Sequence, residues 1–263
     1  TCKVVVTKLD KPFFTFPTVA SNCAACTAIA VIYNADGTFK EYFYPKCPSY
    51  HTFINTRIIA DSPDSLLWAG IGDALSKEYE VLFATRAEEL FHTTLLGAQL
   101  SKACTAPLID FGAKALEDCK ANKASYELEQ VALDIIISTG IVSNLTSGGE
   151  KYYYNSSLGH AFYYGSTVIP KAEKHLHGEV VSFGVLCLLT YDNQLEERER
   201  IMKFHKTIGL PTCLADMEIT EEDIPAIVEK ASTVREWTCV PYATDKDKFA
   251  KAILETDKVG KTF

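Results

Sequence analysis

No uninterrupted, strongly apolar run in this sequence is long enough to cross a bilayer. The longest strongly apolar run, Val180–Leu189, is about half of the roughly 20 residues a spanning helix needs, so no membrane partner is expected. A basic excess is missing too. Lys and Arg total 26 against 34 Asp and Glu, a formal charge of −8. A nucleic-acid partner is not expected, because binding one requires lysines and arginines to neutralise phosphates. No charged-then-apolar signal segment opens the chain and the first residue is Thr1, not Met, which reads as a fragment or a processed product. A disulfide framework is also lacking, since the nine cysteines are odd in number and scattered. Cys187, inside VLCLL, behaves as a small hydrophobe. Reduced thiols in a cytoplasmic protein are the plain expectation. Cys23-Ala-Ala-Cys26 has the CxxC spacing, but no second pair accompanies it, and zinc or redox chemistry needs more than one such pair. Asn144-Leu-Thr146 and Asn155-Ser-Ser157 match glycosylation sequons that carry little meaning without a secretory signal.

What is present is an ordinary globular balance. The chain has 263 residues, 47% hydrophobic and 23% charged, enough for one large domain or two modest ones with a real core. The first part reads as α/β. Lys11–Thr18 is an apolar, aromatic strand candidate bounded by Pro12 and Pro17. Thr27–Tyr33 and Phe39–Tyr44 flank the turn Asn34–Gly37 and read as a hairpin, with Phe53–Ile59 as a further strand. The character changes after Asp61. Ser62-Pro63-Asp64 is a helix-start signal, and apolar residues then recur at spacings of three and four. Helices are predicted over 62–75, 86–104, 107–120, 124–142, 158–168, 177–191, 195–207 and 221–232, with a domain boundary near residue 60.

The chemistry starts from Asp73, a carboxylate inside the apolar segment Leu66–Leu75. Out of water, an ionised carboxylate needs a cation, a metal or several donors. His160 opens His-Ala-Phe-Tyr-Tyr-Gly165, and His177 opens His-Gly-Glu-Val-Val181. One Asp and two His at the edges of apolar helices suit a three-ligand divalent site with an open position. His175, two residues before His177, is a competing ligand that spacing alone does not separate.

These segments resemble the iron-containing alcohol dehydrogenase superfamily. The residues that carry the resemblance are Pro17-Thr-Val-Ala-Ser21, Ala69-Gly-Ile-Gly-Asp-Ala-Leu75, His160-Ala-X-X-X-Gly165 and His177-Gly-Glu179. They look most like the glycerol dehydrogenase branch and the related hydroxycarboxylate dehydrogenases, collinear over essentially the whole chain. The 17-residue separation of His160 and His177 matches the family's two metal histidines, which selects His177 over His175. The resemblance implies an α/β remnant of a dinucleotide-binding domain, residues 1–60, followed by an all-α helical metal- and substrate-binding domain, residues 61–263, in the dehydroquinate synthase-like architecture. It implies that Asp73, His160 and His177 hold Zn2+, or Fe2+. It implies that Thr18, Val19, Ala20, Ser21, Thr27, Ile29 and Tyr33 line the nicotinamide end of NAD or NADP, where small and hydroxyl residues allow close approach. A small alcohol or carbonyl substrate and a homo-oligomer are expected with them.

Departures from the family pattern bear on substrate. The glycine-rich pyrophosphate turn is absent from this sequence and, by the resemblance, precedes Thr1. Position 23 is Cys where similar glycerol dehydrogenases have an Asp facing the polyol. Tyr163 replaces a second histidine of the HAxH pattern. Lys77 stands where the iron branch has a fourth ligand histidine, and its cation is a candidate partner for a substrate carboxylate. Cys23, Lys77 and Tyr163 are therefore the substrate candidates. The reading is metal-assisted hydride transfer between NAD(P) and a small polyol or 2-hydroxy acid. A non-catalytic metal-binding helical fragment and a dehydroquinate synthase-like lyase are the alternatives; the lack of a basic cluster near His160 and His177 counts against the lyase.

Overall fold

The computed structural model describes residues 2–33, 39–149, 151–240, 242 and 244–263. The turn expected at Asn34–Gly37 and the side chain of Tyr33 lie outside the described residues. The chain opens with helix α1 (Cys2–Lys8), then runs through β1 (Phe14–Thr15), β2 (Ala30–Tyr33), β3 (Phe39–Phe43) and β4 (His51–Thr52). Strands β2 and β3 pair antiparallel, Ala30 opposite Phe43, as the hairpin pattern predicts. Strand β1 is shorter than expected and pairs parallel with β4, Phe14 opposite His51. A hydroxyl cluster pins the short 3-10 turn Ala24–Cys26 to that pair: Thr15 and Ser49 both donate to the Ala25 carbonyl, at 2.8 and 3.0 Å. Lys3 ties α1 down by donating to Thr27 Oγ1 at 3.2 Å and to the Ile29 carbonyl at 2.6 Å.

The strand expected over Phe53–Ile59 is a correction. Residues Thr56–Ala60 form helix α2 instead. Asn55 caps it by accepting from the Arg57 N–H, which satisfies a donor that a helix start otherwise orphans, and Ile59 and Ala60 are fully buried. Capping and burial outweigh the strand-like composition.

From there the chain is helical: α3 (Asp64–Ala74), α4 (Ser76–Thr85), α5 (His92–Ser101), α6 (Ala106–Lys120), α7 (Tyr126–Leu133), a π turn (Asp134–Ser138) and α8 (Thr139–Thr146). Then follow α9 (Leu158–Ser166), α10 (His177–Tyr191), α11 (Leu195–Ile208), α12 (Ile224–Ala231), α13 (Arg235–Thr238) and α14 (Lys246–Thr262). The helix expected over 86–104 starts late: residues 86–91 are not helical, α5 covers only His92–Ser101, and α4 lies at Ser76–Thr85, where no helix was expected. Helices α1, α13 and α14 were not anticipated. Residues Tyr126–Thr146 form a 21-residue helical stretch long and apolar enough, by length and composition, to cross a membrane. Its Leu128, Val131, Ile135, Ile136 and Val142 are buried among other helices, so packing against protein accounts for its apolar face.

Helix α10 is the centre. It is buried along nearly its whole length, packing on α9, α3, α14, α11 and α4, which is why its sequence is apolar on all sides. Each fully buried side chain such as Phe183 or Leu186 contributes roughly 1.5–3 kcal/mol of transfer free energy. Because α10 is held so firmly, its first residue, His177, starts from a fixed point.

Candidate metal and cofactor site

Asp73 sits in the last turn of α3, His160 in the first turn of α9, and His177 is the first residue of α10. Glycines bring these ends together. A Cβ on Gly72 would lie 2.4 Å from the Gly178 carbonyl oxygen, and one on Gly178 would lie 1.8 Å from that of Ala69. A Cβ on Gly70 would lie 2.2 Å from the Ala20 carbonyl oxygen, so the same helix also receives the segment after β1. Any side chain at these points would force the backbones apart.

The three predicted residues meet. His177 Nε2 lies 3.2 Å and His160 Nε2 3.6 Å from Asp73 Oδ1. One potential ligand atom from each lies within 4.8 Å of the others. Asp73 Oδ1 is buried and has no hydrogen-bond partner. An orphaned buried carboxylate oxygen facing two imidazole nitrogens fits a divalent cation, since N, N, O donors are a set zinc accepts and ferrous iron tolerates. Burial pushes the Asp73 carboxyl up, but His177, His160 and Lys77 outweigh it and hold it below its usual range. His177 is the most exposed of the three, its side chain 40% accessible, and leaves the trio open towards a cavity.

His160 is held from behind. Glu80, in α4, is fully buried. Its Oε2 lies 2.6 Å from His160 Nδ1, while its Oε1 accepts from the Ser157 and His160 backbone N–H groups at 2.8 and 2.9 Å. Burial pushes the Glu80 carboxyl up; His160 and these N–H donors outweigh it and hold it low. His175 takes no part in the trio: its Nδ1 lies 2.7 Å from Glu179 Oε1.

The cavity measures about 1130 Å³ and carries Asp73, His160 and His177 on its wall. Of the residues expected at cofactor or substrate, Ser21, Cys23, Thr27, Ile29 and Tyr163 line it. Tyr163 packs edge-on against His177, ring centroids 4.2 Å apart. Thr18 is exposed, Val19 half-buried and Ala20 fully buried, and none of the three is part of the described cavity wall. Lys77 is 6% exposed and is committed elsewhere, donating to Asn155 Oδ1 at 2.5 Å and to the Asn155 carbonyl at 3.1 Å. Burial raises the thiol pKa of Cys23, and that of Cys26 to about 12, so both stay protonated and neither is a thiolate ligand at neutral pH.

Sequence reasoning missed Glu80, Asn155 and Glu236. Glu236 is buried on the cavity wall and accepts from Tyr42 and Tyr153 hydroxyls, each at 3.2 Å. A signal existed for Glu80, seven residues and two helical turns after Asp73. For Asn155 and Glu236, both in contacts distant along the chain, there was none.

No protein-family model matches the chain. It is 32% identical to a glycerol dehydrogenase of Escherichia coli, over 100% of this chain and 72% of that protein. It is 33% identical to a glycerol dehydrogenase of Thermotoga maritima, over 88% of this chain and 64% of that one. Among solved structures, a probable glycerol dehydrogenase from Sinorhizobium meliloti superposes with a TM-score of 0.87 at 27% identity, covering 99% of this chain and 74% of that one. An iron-containing alcohol dehydrogenase from Thermotoga maritima shares the fold, with a TM-score of 0.68 at 18% identity over 94% of this chain and 64% of that one.

Proposed function

The chain belongs to the glycerol dehydrogenase family, and on that premise we propose that it takes part in hydride transfer between NAD(P) and a small polyol such as glycerol, at a divalent cation held by Asp73, His160 and His177. The convergence of these three side chains on one buried, unpartnered carboxylate oxygen carries the reading. A cation held there would supply Lewis acidity towards the substrate oxygen, and a nicotinamide in the same cavity would supply the hydride chemistry.

The chain's own residues place the reactants. Ser21, Thr27 and Ile29 line the cavity shared with the trio, and they support the expectation that the nicotinamide lies there. Tyr163 steadies His177 by edge-on packing. A neutral polyol is favoured over a 2-hydroxy acid. Lys77 is spent on Asn155, whereas Glu236 puts a carboxylate on the wall, which accepts hydroxyls and repels an anion. Zinc is the cation we would load first, with ferrous iron as the comparison. The division at residue 60 belongs to the same proposal, supported by the change from paired strands to helices. Cytoplasmic residence is supported by nine free cysteines. A homo-oligomer is retained as an expectation that sedimentation of the enzyme will check.

The test is metal-dependent stability. Zinc at about a hundred times its dissociation constant should add about 2.7 kcal/mol, raising Tm by roughly 5–10 °C. Asp73→Ala and His177→Ala should each abolish the shift, together with metal-dependent oxidation of glycerol by NAD. A wild-type protein that gains nothing from zinc or iron, or variants that respond as the wild type does, would overturn the reading.

A further inference from the structure

We propose that Glu80 is a positioning residue that fixes the tautomer of His160, keeping the proton on Nδ1 and leaving Nε2 bare towards Asp73. This rests on the metal-site reading for its purpose, though not for its geometry. The argument begins with donor and acceptor counting. Ser157 and His160 backbone N–H groups both donate to Glu80 Oε1, at 2.8 and 2.9 Å. Those donors belong to the first turn of α9, where N–H groups have no helical partner. Oε2 is left for the ring, 2.6 Å from His160 Nδ1. An ionised carboxylate only accepts, so Nδ1 is the donor and carries the hydrogen.

In a neutral imidazole the other nitrogen is then unprotonated. That nitrogen, Nε2, is the atom 3.6 Å from Asp73 Oδ1, and a bare nitrogen is what a cation requires. Glu80 therefore decides which face of the ring is a ligand. The local chain is shaped for it. Glu80 is fully buried, and Gly159 leaves room, since a Cβ there would lie 3.0 Å from Glu80 Oε1.

Glu80→Gln separates this role from mere helix capping. The glutamine carbonyl is required at the Oε1 position, because two backbone N–H groups point there. Its NH2 then falls opposite Nδ1 and donates to it, which moves the ring proton to Nε2. Capping survives while the ligand face is blocked. In selectively 15N-histidine-labelled, metal-free protein, wild-type His160 should show a protonated Nδ1, and Glu80→Gln a protonated Nε2. The resonance is assigned by its loss in His160→Asn. Chelator competition should show a 10- to 100-fold weaker zinc affinity in Glu80→Gln, the usual effect of losing such an outer partner, with Tm of the metal-free protein little changed.

A wild-type His160 bare at Nδ1 and protonated on Nε2 overturns the proposal. So does a Glu80→Gln protein with unchanged tautomer and unchanged zinc affinity. Should Glu80→Gln fail to fold, the wild-type spectrum alone decides. A wild-type protein that binds no zinc would count against the metal site, and the tautomer would still decide on Glu80.

Discussion

Gly178 presses its Cα against the backbone of Ala69: a Cβ there would fall 1.8 Å from the Ala69 carbonyl oxygen. The start of α10 thus crosses α3 with no side chain between them, four residues before Asp73 and one residue after His177. That crossing places Asp73 Oδ1 3.2 Å from His177 Nε2. Gly178→Ala should therefore damage stability and site together. Overpacking of a fitted interior costs about 1–3 kcal/mol, a loss of roughly 2–12 °C in Tm for a chain of this size, and widening the crossing should weaken zinc binding as well. Thermal unfolding with and without zinc reads both. Equal Tm and equal zinc response in Gly178→Ala would mean that the helices do not pack this closely.

Lys77 gives a prediction opposite to the one its sequence position suggests. Its ammonium is buried on Asn155 rather than presented to the cavity. Lys77→Met keeps the stem and removes the donor, leaving the Asn155 oxygens short of a partner at a cost of about 1–3 kcal/mol. The expected result is lower stability, with kcat/KM for glycerol and for a short 2-oxo acid falling by the same factor. A loss confined to the 2-oxo acid would return the cation to the substrate.

How far the sequence revealed this can be followed residue by residue. His160, His177 and Asp73 were legible because each stands in a motif whose order and spacing resemble a family, and α10 because its apolar run has one physical use. Thr56–Ala60 reads as a strand because Ile58 and Ile59 suit one; the Asn55 cap, which accepts from an N–H only two residues on, was legible locally, whereas the burial of Ala60 is a tertiary fact. Glu80 lies in Lys-Glu-Tyr-Glu-Val, which reads as an ordinary charged helix face until α9 is packed over it. Helix α14 hid its buried row, Phe249, Ala252, Ile253 and Gly260, among charges. Asn155 and Glu236 reach the cavity through contacts that no local period encodes.

Asp134 supplies the pH prediction. It opens the π turn, is 2% exposed, and both of its carboxylate oxygens lack a hydrogen-bond partner. Burial pushes its carboxyl up to about 7, against about 3.9 in an unfolded chain. Between those values the folded state holds a proton that the unfolded state has released. Stability therefore falls as pH rises from about 4 to about 7, and the full loss stands above 7. His205 works in the opposite sense, because burial pulls it down to about 4. The unfolded chain takes up its proton below about 6.5, so that contribution is lost as pH falls. The two partly cancel in the wild-type profile near pH 5, and only a difference between proteins isolates Asp134. Asp134→Asn keeps the shape and removes the charge. Urea unfolding should show the variant gaining about 1–2 kcal/mol over wild type on going from pH 5 to pH 8, below the ~2.7 kcal/mol that the two pH units between 5 and 7 allow, because buried groups relax. The turn that carries Asp134 also carries Ile136, whose carbonyl accepts from the Cys26 thiol at 2.7 Å beside the cavity. Ionisation of Asp134 at high pH should loosen that contact too, and Asp134→Asn should slow hydrogen exchange of the Ala132–Gly140 amides at pH 8 but not at pH 5. Equal pH dependence in the two proteins would mean that the carboxylate finds a partner in solution.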